Sequence, residues 1–445
     1  MTADFLDNPV TGATPAELAA IDDFVGGLIA CETRITRILD VAPGDCALVA
    51  VYTGIAHLLA ETTGQEATAR PWLDIARAAA ACTGTTAREE LWITVLDHWS
   101  AGHIDATLAA LDRLLRQAPR DLAALKLFQY HQFNRGEFAE MLRAALAVQH
   151  AAGDLPYLGG MLAFAFEQLH LLDAAERAAD RGLALVPNDP WAQHALAHVR
   201  LTRGSITQGL SALEQWSPGW VGLNSFMVTH LWWHLAVFHL ARGHFAKALA
   251  IHDAHVWAHD RSYSQDQVGA VSLLARLELA GVDVGDRWAA LAPWLIPRAS
   301  DTTLPFLSVQ YAYGLARAGR AEADTLIAAI TAQDGDVVWR EAALPLAQGL
   351  VAHARGDFPR AVRLLAEAVP RLAHLGGSHA QRDLFALVLI DAQIQIGALG
   401  HAQQALEPRR LNDPHNVPVN AALAHVYDAL GLPEQSAAAR ARIAT

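Results

Sequence analysis

The chain has 445 residues, of which 53% are hydrophobic and 18% are charged, and its formal net charge is −13. This composition excludes a disordered chain, and an excess of 46 acidic over 33 basic residues argues against a surface that follows nucleic-acid phosphates. Because of this acidic excess, we expect no nucleic-acid partner.

The length of the chain bears on its architecture. A single core stops growing at about 250 to 300 residues, so the chain must divide into domains or extend as a repeat array.

Cysteine usage and the N-terminus bear on the compartment. The three cysteines, Cys31, Cys46 and Cys82, are widely spaced and form no Cys-x-x-Cys motif, so they indicate neither a zinc knuckle nor a disulfide framework. Asp4 and Asp7 stand where a signal peptide needs positive charge, and no later run of about 18 apolar residues could span a membrane. These features predict a cytoplasmic protein with no membrane partner.

The first segments of the chain precede a repeat region. Residues 1–14 are expected to be a disordered tail. Helical patterns follow at residues 17–39, 46–61 and 67–81. We expect residues 15–87 to form N-terminal capping helices that cover the apolar end of an array formed by residues 88–445.

A sequence pattern recurs about every 34 residues through the rest of the chain. Gly102 and Gly136 are 34 residues apart, and Pro119 and Pro187 are 68 apart. Residues 157–190 have the pattern of an apolar helix, a short turn, an amphipathic helix and a proline stop. Together these marks predict helical hairpins that open near residues 88, 122, 156, 190, 229, 267, 305, 342 and 383. The predicted fold is all-α, an α-solenoid in which each hairpin packs on its neighbours.

The hairpin pattern resembles the tetratricopeptide repeat, which has small residues where paired helices touch and a glycine near the turn. The residues in this register include Trp232, Leu235, Ala236, Gly243 and Ala248. The resemblance implies a superhelix of tetratricopeptide-like hairpins with a concave groove. It also implies that Trp232 packs in the core, whereas Trp233 faces the groove and could stack on a ligand.

Fixed positions of each first helix face the groove in tetratricopeptide repeats, and the resemblance carries these positions onto the present chain. The earlier positions are Lys126, Tyr130, Phe133, Asn134, Tyr157, Glu167 and Gln168. The next two repeats add His194, His198, His230 and Trp233. Four repeats are thus expected to present a polar and aromatic strip.

Two histidine pairs lie within this strip. His194 and His198 are four residues apart, as are His230 and His234, so each pair lies on one helix face. Adjacent first helices pack at about 8 to 10 Å, which allows a shared site. Such imidazoles could bind a divalent metal or act as general acid and base, with Glu167 as an added carboxylate. A chain with 21 His also produces these spacings by chance, so a packing role stays open.

Two further charged pairs are candidates for ligand contacts. Asp253 and His255 end a second helix and could orient a groove histidine, although a helix C-terminus also favours histidine on its own. Ser378 fits a helix capping box, after which Arg382 and Asp383 could reach the groove or clamp two helices.

Over most of its length the chain resembles the tetratricopeptide repeat protein 38 family of animals and bacteria. The similar blocks are DPWAQHALAH (189–198), THLWWH (229–234), GHFAKALAIHDAH (243–255), GVDVGDRW (281–288) and LGGSHAQRDLF (375–385). Their order and separation also match. The family brings no settled reaction. The chain departs from similar proteins at residues 308–311 and at Gln129 and Tyr130, which puts a shared activity in doubt.

These observations lead to a hypothesis of binding. The sequence contains no phosphate-binding loop, no dinucleotide fingerprint and no nucleophile elbow. We expect a groove between residues 130 and 259 that holds a small organic ligand or a peptide, with a homodimer left open. The alternative is an enzyme that uses the histidine pairs for acid-base or metal-assisted chemistry. No cofactor is expected, and a divalent metal at the histidine pairs is left open.

Overall fold

The structure is a computed structural model that describes residues 2–443, and these residues are predominantly helical. Two short strands, β1 (Thr2–Ala3) and β2 (Pro9–Val10), pair in antiparallel fashion at the start. The predicted all-α fold is confirmed. No helix in the described part of the chain combines the length and the apolar character that crossing a bilayer requires.

The chain divides into two compact units. The first comprises Met1–Leu196 with Gly219–Met227, and the second comprises Ala197–Pro218 with Val228–Thr445. The boundary at residue 87 stays a prediction. Aromatic contacts join residues on both sides of it, because Tyr52 stacks on Phe24 at 4.6 Å between ring centroids and meets Trp92 edge-on at 5.1 Å.

The first unit is a stack of helical hairpins. Its helices are α1 (Pro15–Ala30), α2 (Ala47–Leu58), α3 (Gln65–Thr83), α4 (Ala87–Ser100), α5 (Ile104–Gln117), α6 (Leu122–Asn134), α7 (Phe138–Ala152), α8 (Leu158–Gln168), α9 (Leu172–Leu185) and the start of α10 (Pro190–Thr202). Successive helices pair, as in α4 with α5 and α8 with α9. Residues Thr33–Asp40 form a 3-10 helix after α1.

The N-terminal residues differ from the expected disordered tail. Asp4 is buried and its carboxylate lies 3.4 Å from the Arg88 guanidinium, which also donates to Asp121 at 2.8 Å. Trp92 Nε1 donates to the same Asp121 carboxylate at 2.9 Å. A buried cation with two carboxylates holds the β1–β2 hairpin on the first unit, and helical periodicity alone could not reveal this.

The second unit continues the hairpin pattern with longer connections. Its helices are the remainder of α10, α11 (Ile206–Trp216), α12 (Ser225–Ala241) from Val228, α13 (Phe245–Ile251), α14 (Ser264–Leu279), α15 (Arg287–Leu295), α16 (Pro305–Arg317), α17 (Glu322–Thr331), α18 (Leu344–Ala354), α19 (Phe358–Ala368), α20 (His379–Gln395), α21 (Leu399–Asn412), α22 (Val417–Ala429) and α23 (Pro433–Ile443). Short 3-10 helices lie at Ser217–Gly219, Ile296–Arg298 and Val369–Leu375, and π-helical turns lie at His252–Val256 and Trp339–Ala343.

Glycines in turns and prolines near helix ends explain why the hairpins begin where predicted. Gly102 and Gly136 have φ values of +74° and +72°, a conformation that side chains with a Cβ rarely adopt, and each lies in the turn of a hairpin. The helices predicted to open near 122 and 305 begin at Leu122 and Pro305. The tetratricopeptide-like fold is thus confirmed at the level of individual hairpins.

Candidate functional site

A histidine cluster lies in the second unit, where α10, α12 and α20 contribute His198, His230, His234 and His379. The ring centroid of His234 lies 4.6 Å from that of His198 and 4.8 Å from that of His230. The His379 ring lies 5.4 Å from the His198 ring. One ring nitrogen from each of His198, His230 and His234 lies within 4.8 Å of the others. Three of the predicted histidines therefore converge.

Local sequence explains this convergence in part. The four-residue spacing of His230 and His234 places both rings on one face of α12, as predicted. His379 is the first residue of α20, whose start is fixed by a capping box between Ser378 and Gln381. Sequence reasoning did not select His379, although it belongs to one of the family-like blocks. Its position depends on the packing of α20 against α14, which no local pattern indicates.

The cluster extends from the interior to the surface of its unit. His198 and His234 are fully buried, whereas His230 and His379 are partly exposed. Burial lowers the pKa of His230 to about 4. This imidazole is therefore neutral at pH 7, a state that offers a nitrogen lone pair but no positive charge.

Trp233 packs beside the cluster and corrects one expectation. It is 2% exposed and stacks in parallel on His230 at 5.5 Å between centroids, so it is a core residue. Trp232 is the partly exposed neighbour and stacks on His255 at 3.7 Å. Because successive helical residues point about 100° apart, a register error of one position exchanged the two roles.

Asp383 of α20 forms ion pairs with arginines of two other helices, α14 and α21. Its carboxylate lies 2.6 Å from Arg409 and 3.4 Å from Arg276, whose guanidinium carbon lies 5.5 Å from the Trp233 ring centre. Burial alone would raise the pKa of Asp383, but the two cations outweigh it and hold this pKa at about 2. Arg382 donates to the backbone carbonyl of Gly376 at 3.3 Å. These contacts support the helix-clamping interpretation of Asp383.

Asp253 and His255 contact residues other than the clustered histidines. Asp253 accepts two hydrogen bonds from Arg287, at 2.8 and 2.6 Å, and one contact of 3.0 Å from His252 Nδ1. The Arg287 hydrogen bonds lead the causes that lower the pKa of Asp253 to about 2. His255 is engaged with Trp232. Both residues therefore have packing partners, and neither is shown to orient a clustered histidine.

A second notable arrangement lies in the first unit, around Lys126 of α6. The Lys126 ammonium nitrogen lies 3.0 Å from the centre of the Trp191 ring, and Trp191 Nε1 donates to the Cys31 thiol at 3.0 Å. Asp189 holds this tryptophan in place by accepting from the backbone N–H groups of Trp191 and Ala192 at 2.9 and 3.2 Å. Lys126 itself is partly exposed.

The electrostatics around Lys126 are unusual for a lysine. Burial lowers the pKa of Lys126 to about 8, although Cys31 and Asp189 nearby favour its charged form. Burial also raises the pKa of Asp189 to about 7, against the backbone donors that stabilise the carboxylate. Within residues 2–443, no carboxylate oxygen lies within 4.0 Å of the Lys126 nitrogen.

Aromatic rings form a continuous path beside Lys126. Phe133 lies 5.5 Å from Phe164, Phe164 lies 5.4 Å from Trp191, and Trp191 lies 6.2 Å from Phe226 between ring centroids. Lys126 and Phe133 share one face of α6 with Tyr130, because the spacing of the three follows the helical period. We call the partly exposed Lys126, Tyr130, Phe133 and Phe226 the lysine face.

The remaining predicted residues of the first unit occupy varied positions. His194 is buried against Phe164 and Trp191 at 5.1 and 5.4 Å between centroids. Tyr130 donates to Glu61 at 3.0 Å. Asn134 is partly exposed. Tyr157 precedes α8 and has a φ of +72°. Glu167 is buried, and its carboxylate accepts a hydrogen bond from Gln168 at 2.7 Å.

Comparison with known proteins gives a likeness of fold alone. No family model matches the chain. A human IFIT1 dimer solved with PPP-AAAA is 11% identical, with 95% of this chain and 94% of that chain covered and a TM-score of 0.45. A second human IFIT1 dimer, solved with m7Gppp-AAAA, is 12% identical with the same coverage and TM-score. A structure of Naa15/Naa10 bound to HypK-THB is 14% identical, covers 96% of this chain and 67% of that chain, and has a TM-score of 0.26.

The IFIT1 structures correct one expectation from composition. Exclusion of a nucleic-acid partner is contradicted, because those similar structures were solved with PPP-AAAA and m7Gppp-AAAA. The net charge of −13 is a sum over the whole chain and does not describe the charge of any one face. Net charge alone therefore cannot exclude a nucleic-acid partner.

Proposed function

We propose that the protein is a binding protein whose lysine face holds a small organic anion with a flat apolar part. The observation that carries this proposal is the position of Lys126, a cation set on an aromatic ring without a carboxylate within 4.0 Å among the described residues. Removing an ammonium group from water is unfavourable unless an opposite charge accompanies it. An anionic ligand would supply that charge.

The composition of the chain strengthens the interpretation of Lys126. The sequence has 33 basic residues, and only Lys126 and Lys247 among them are lysines. Lys247 lies on the surface and pairs with Glu214 at 2.5 Å. A lysine is a compact point charge whose pKa shifts when it is buried, whereas arginine stays charged. A lysine at position 126 therefore fits a site in which the binding of a ligand changes the protonation of the amine.

The lysine face suits a ligand with two chemical parts. A carboxylate or similar group would pair with the Lys126 ammonium, while a flat ring would pack along Phe133 and Phe226. Binding of this kind would stabilise the protonated amine and raise the pKa of Lys126 above 8, so the complex takes up protons. Affinity would fall as the pH rises through the pKa of the free protein.

The alternative of an acid-base enzyme receives less support. An efficient general acid or base near neutral pH has a pKa close to 7, whereas the pKa of His230 is about 4. Membership of the tetratricopeptide repeat protein 38 family and a cytoplasmic location are further parts of the proposal. The first rests on the sequence blocks and the second on the three free cysteines.

Isothermal titration with 2-naphthoate and its neutral analogue 2-naphthamide tests the proposal. We expect the carboxylate to bind the wild-type protein and to bind the Lys126→Met variant at least about tenfold more weakly, with the amide weak in both. Lys247→Met serves as the matched control and should bind as the wild type does. Equal affinity of wild type and Lys126→Met for the carboxylate, or no carboxylate binding at millimolar concentration, would overturn the proposal.

A further inference from the structure

The histidine cluster of the second unit has the donor set of a metal site. His198, His230 and His234 come from two helices, and one ring nitrogen of each lies within 4.8 Å of the others. Imidazole nitrogen is a borderline donor that suits zinc, copper and nickel better than magnesium or calcium. We propose that these three histidines bind one divalent cation of the zinc class.

The spacing of the nitrogens is compatible with a single ion. Zinc binds histidine nitrogen at about 2.0 to 2.1 Å, so nitrogens that share an ion lie up to about 4 Å apart. The separations of up to 4.8 Å close to this value when the rings turn slightly about their side-chain torsions.

The surroundings of the cluster support a bound ion. His234 is fully buried and lies 4.9 Å from Trp233 between ring centroids, so this ligand lies in a packed setting. Asp383 pairs with Arg276 and Arg409, so this carboxylate is neutralised within its own network.

The three histidines would supply three of the four groups of a tetrahedral zinc site. This inference concerns the second unit and is independent of the lysine face, so either proposal can fail without the other.

Zinc titration of the full chain, freed of any affinity tag and stripped with a chelator, tests the inference. We expect one zinc ion per chain by elemental analysis after dialysis, and a visible ligand-field spectrum of tetrahedral type when Co²⁺ replaces Zn²⁺. His230→Ala should weaken zinc binding at least about tenfold and abolish the cobalt spectrum. His255→Ala, which removes an imidazole stacked on Trp232 in the same unit, is the matched control and should retain both.

Folding of each variant is checked by circular dichroism. His230 is partly exposed, so its removal is expected to leave the helices intact; His198→Gln provides a second variant that preserves more of the buried volume. Absence of stoichiometric zinc in the wild type would overturn the inference. So would zinc binding that His230→Ala and His198→Gln leave unchanged, because the 21 histidines of the chain would then be binding metal elsewhere.

Discussion

Lys126 places its ammonium nitrogen 3.0 Å from the centre of the Trp191 ring, and the Trp191 indole N–H in turn donates to the Cys31 thiol. A cation over an indole ring gains about 0.5 to 2 kcal/mol, according to how fully it is desolvated. This gain is smaller than the cost of removing an ammonium group from water. The balance accounts for the lowered pKa of Lys126.

The first prediction concerns this pKa directly. Reductive methylation with ¹³C-formaldehyde labels the two lysines and the N-terminal amine, and nuclear magnetic resonance follows each signal with pH. We expect Lys126 to titrate near pH 8. Lys247→Met identifies the other lysine signal. A Lys126 signal that titrates near the usual lysine value of about 10.4 would contradict the structure.

The second prediction links Lys126 to stability. A lysine whose pKa falls from 10.5 to about 8 on folding binds fewer protons in the folded state between these values, so stability rises with pH across that window. Lys126→Met should stabilise the protein by about 1 to 3 kcal/mol at pH 7, with the gain shrinking between pH 8 and 10.5. Urea unfolding at several pH values measures this, and Lys247→Met should show no such dependence.

The third prediction concerns the buried network at the N-terminus. Arg88→Ala leaves the carboxylates of Asp4 and Asp121 buried without their cation, which should cost about 3 to 5 kcal/mol in the free energy of unfolding. The matched control is Arg77→Ala, which removes an exposed partner of Asp97 and should cost less than about 1 kcal/mol. Similar losses in both variants would show that the network contributes no more than a surface pair.

The fourth prediction concerns Asp383 at acid pH. Its folded pKa of about 2 lies below the ordinary value of 3.8, so its stabilising contribution is complete above pH 3.8 and is lost as the pH falls toward 2. Because the carboxylate is partly exposed, solvent screening reduces this contribution to about 1 kcal/mol. Comparison of acid unfolding in wild type and Asp383→Asn measures it, and Asp428→Asn, which alters an exposed pair with Arg440, is the control. Identical acid transitions in wild type and Asp383→Asn would count against the clamp.

The sequence was sufficient for the hairpins because the signals that set them are local. Glycines such as Gly102 and Gly136 mark the turns, and the hairpins predicted to open near 122 and 305 begin at Leu122 and Pro305. Division into units could not be read in the same way. It depends on contacts such as Tyr52 with Trp92, which join helices that no periodic pattern relates.

The histidine cluster was predictable only in part, for a similar reason. The four-residue spacing of His230 and His234 is a property of one helix, and sequence alone reveals it. His379 joins them from a distant helix whose packing the sequence does not encode locally. The interchange of Trp232 and Trp233 has a different source, since an uncertainty of one residue in helix register reverses which side chain faces inward.

The scarcity of lysine in this chain has a consequence for its chemical modification. Only Lys247 carries a well exposed side-chain amine, with 55% of its side chain accessible, while the amine of Lys126 is held against an indole ring. Acetyl groups, ubiquitin-like tags and amine-reactive dyes would therefore accumulate at one lysine. Any such label would report on the short helix Phe245–Ile251 and leave the rest of the described surface unmarked.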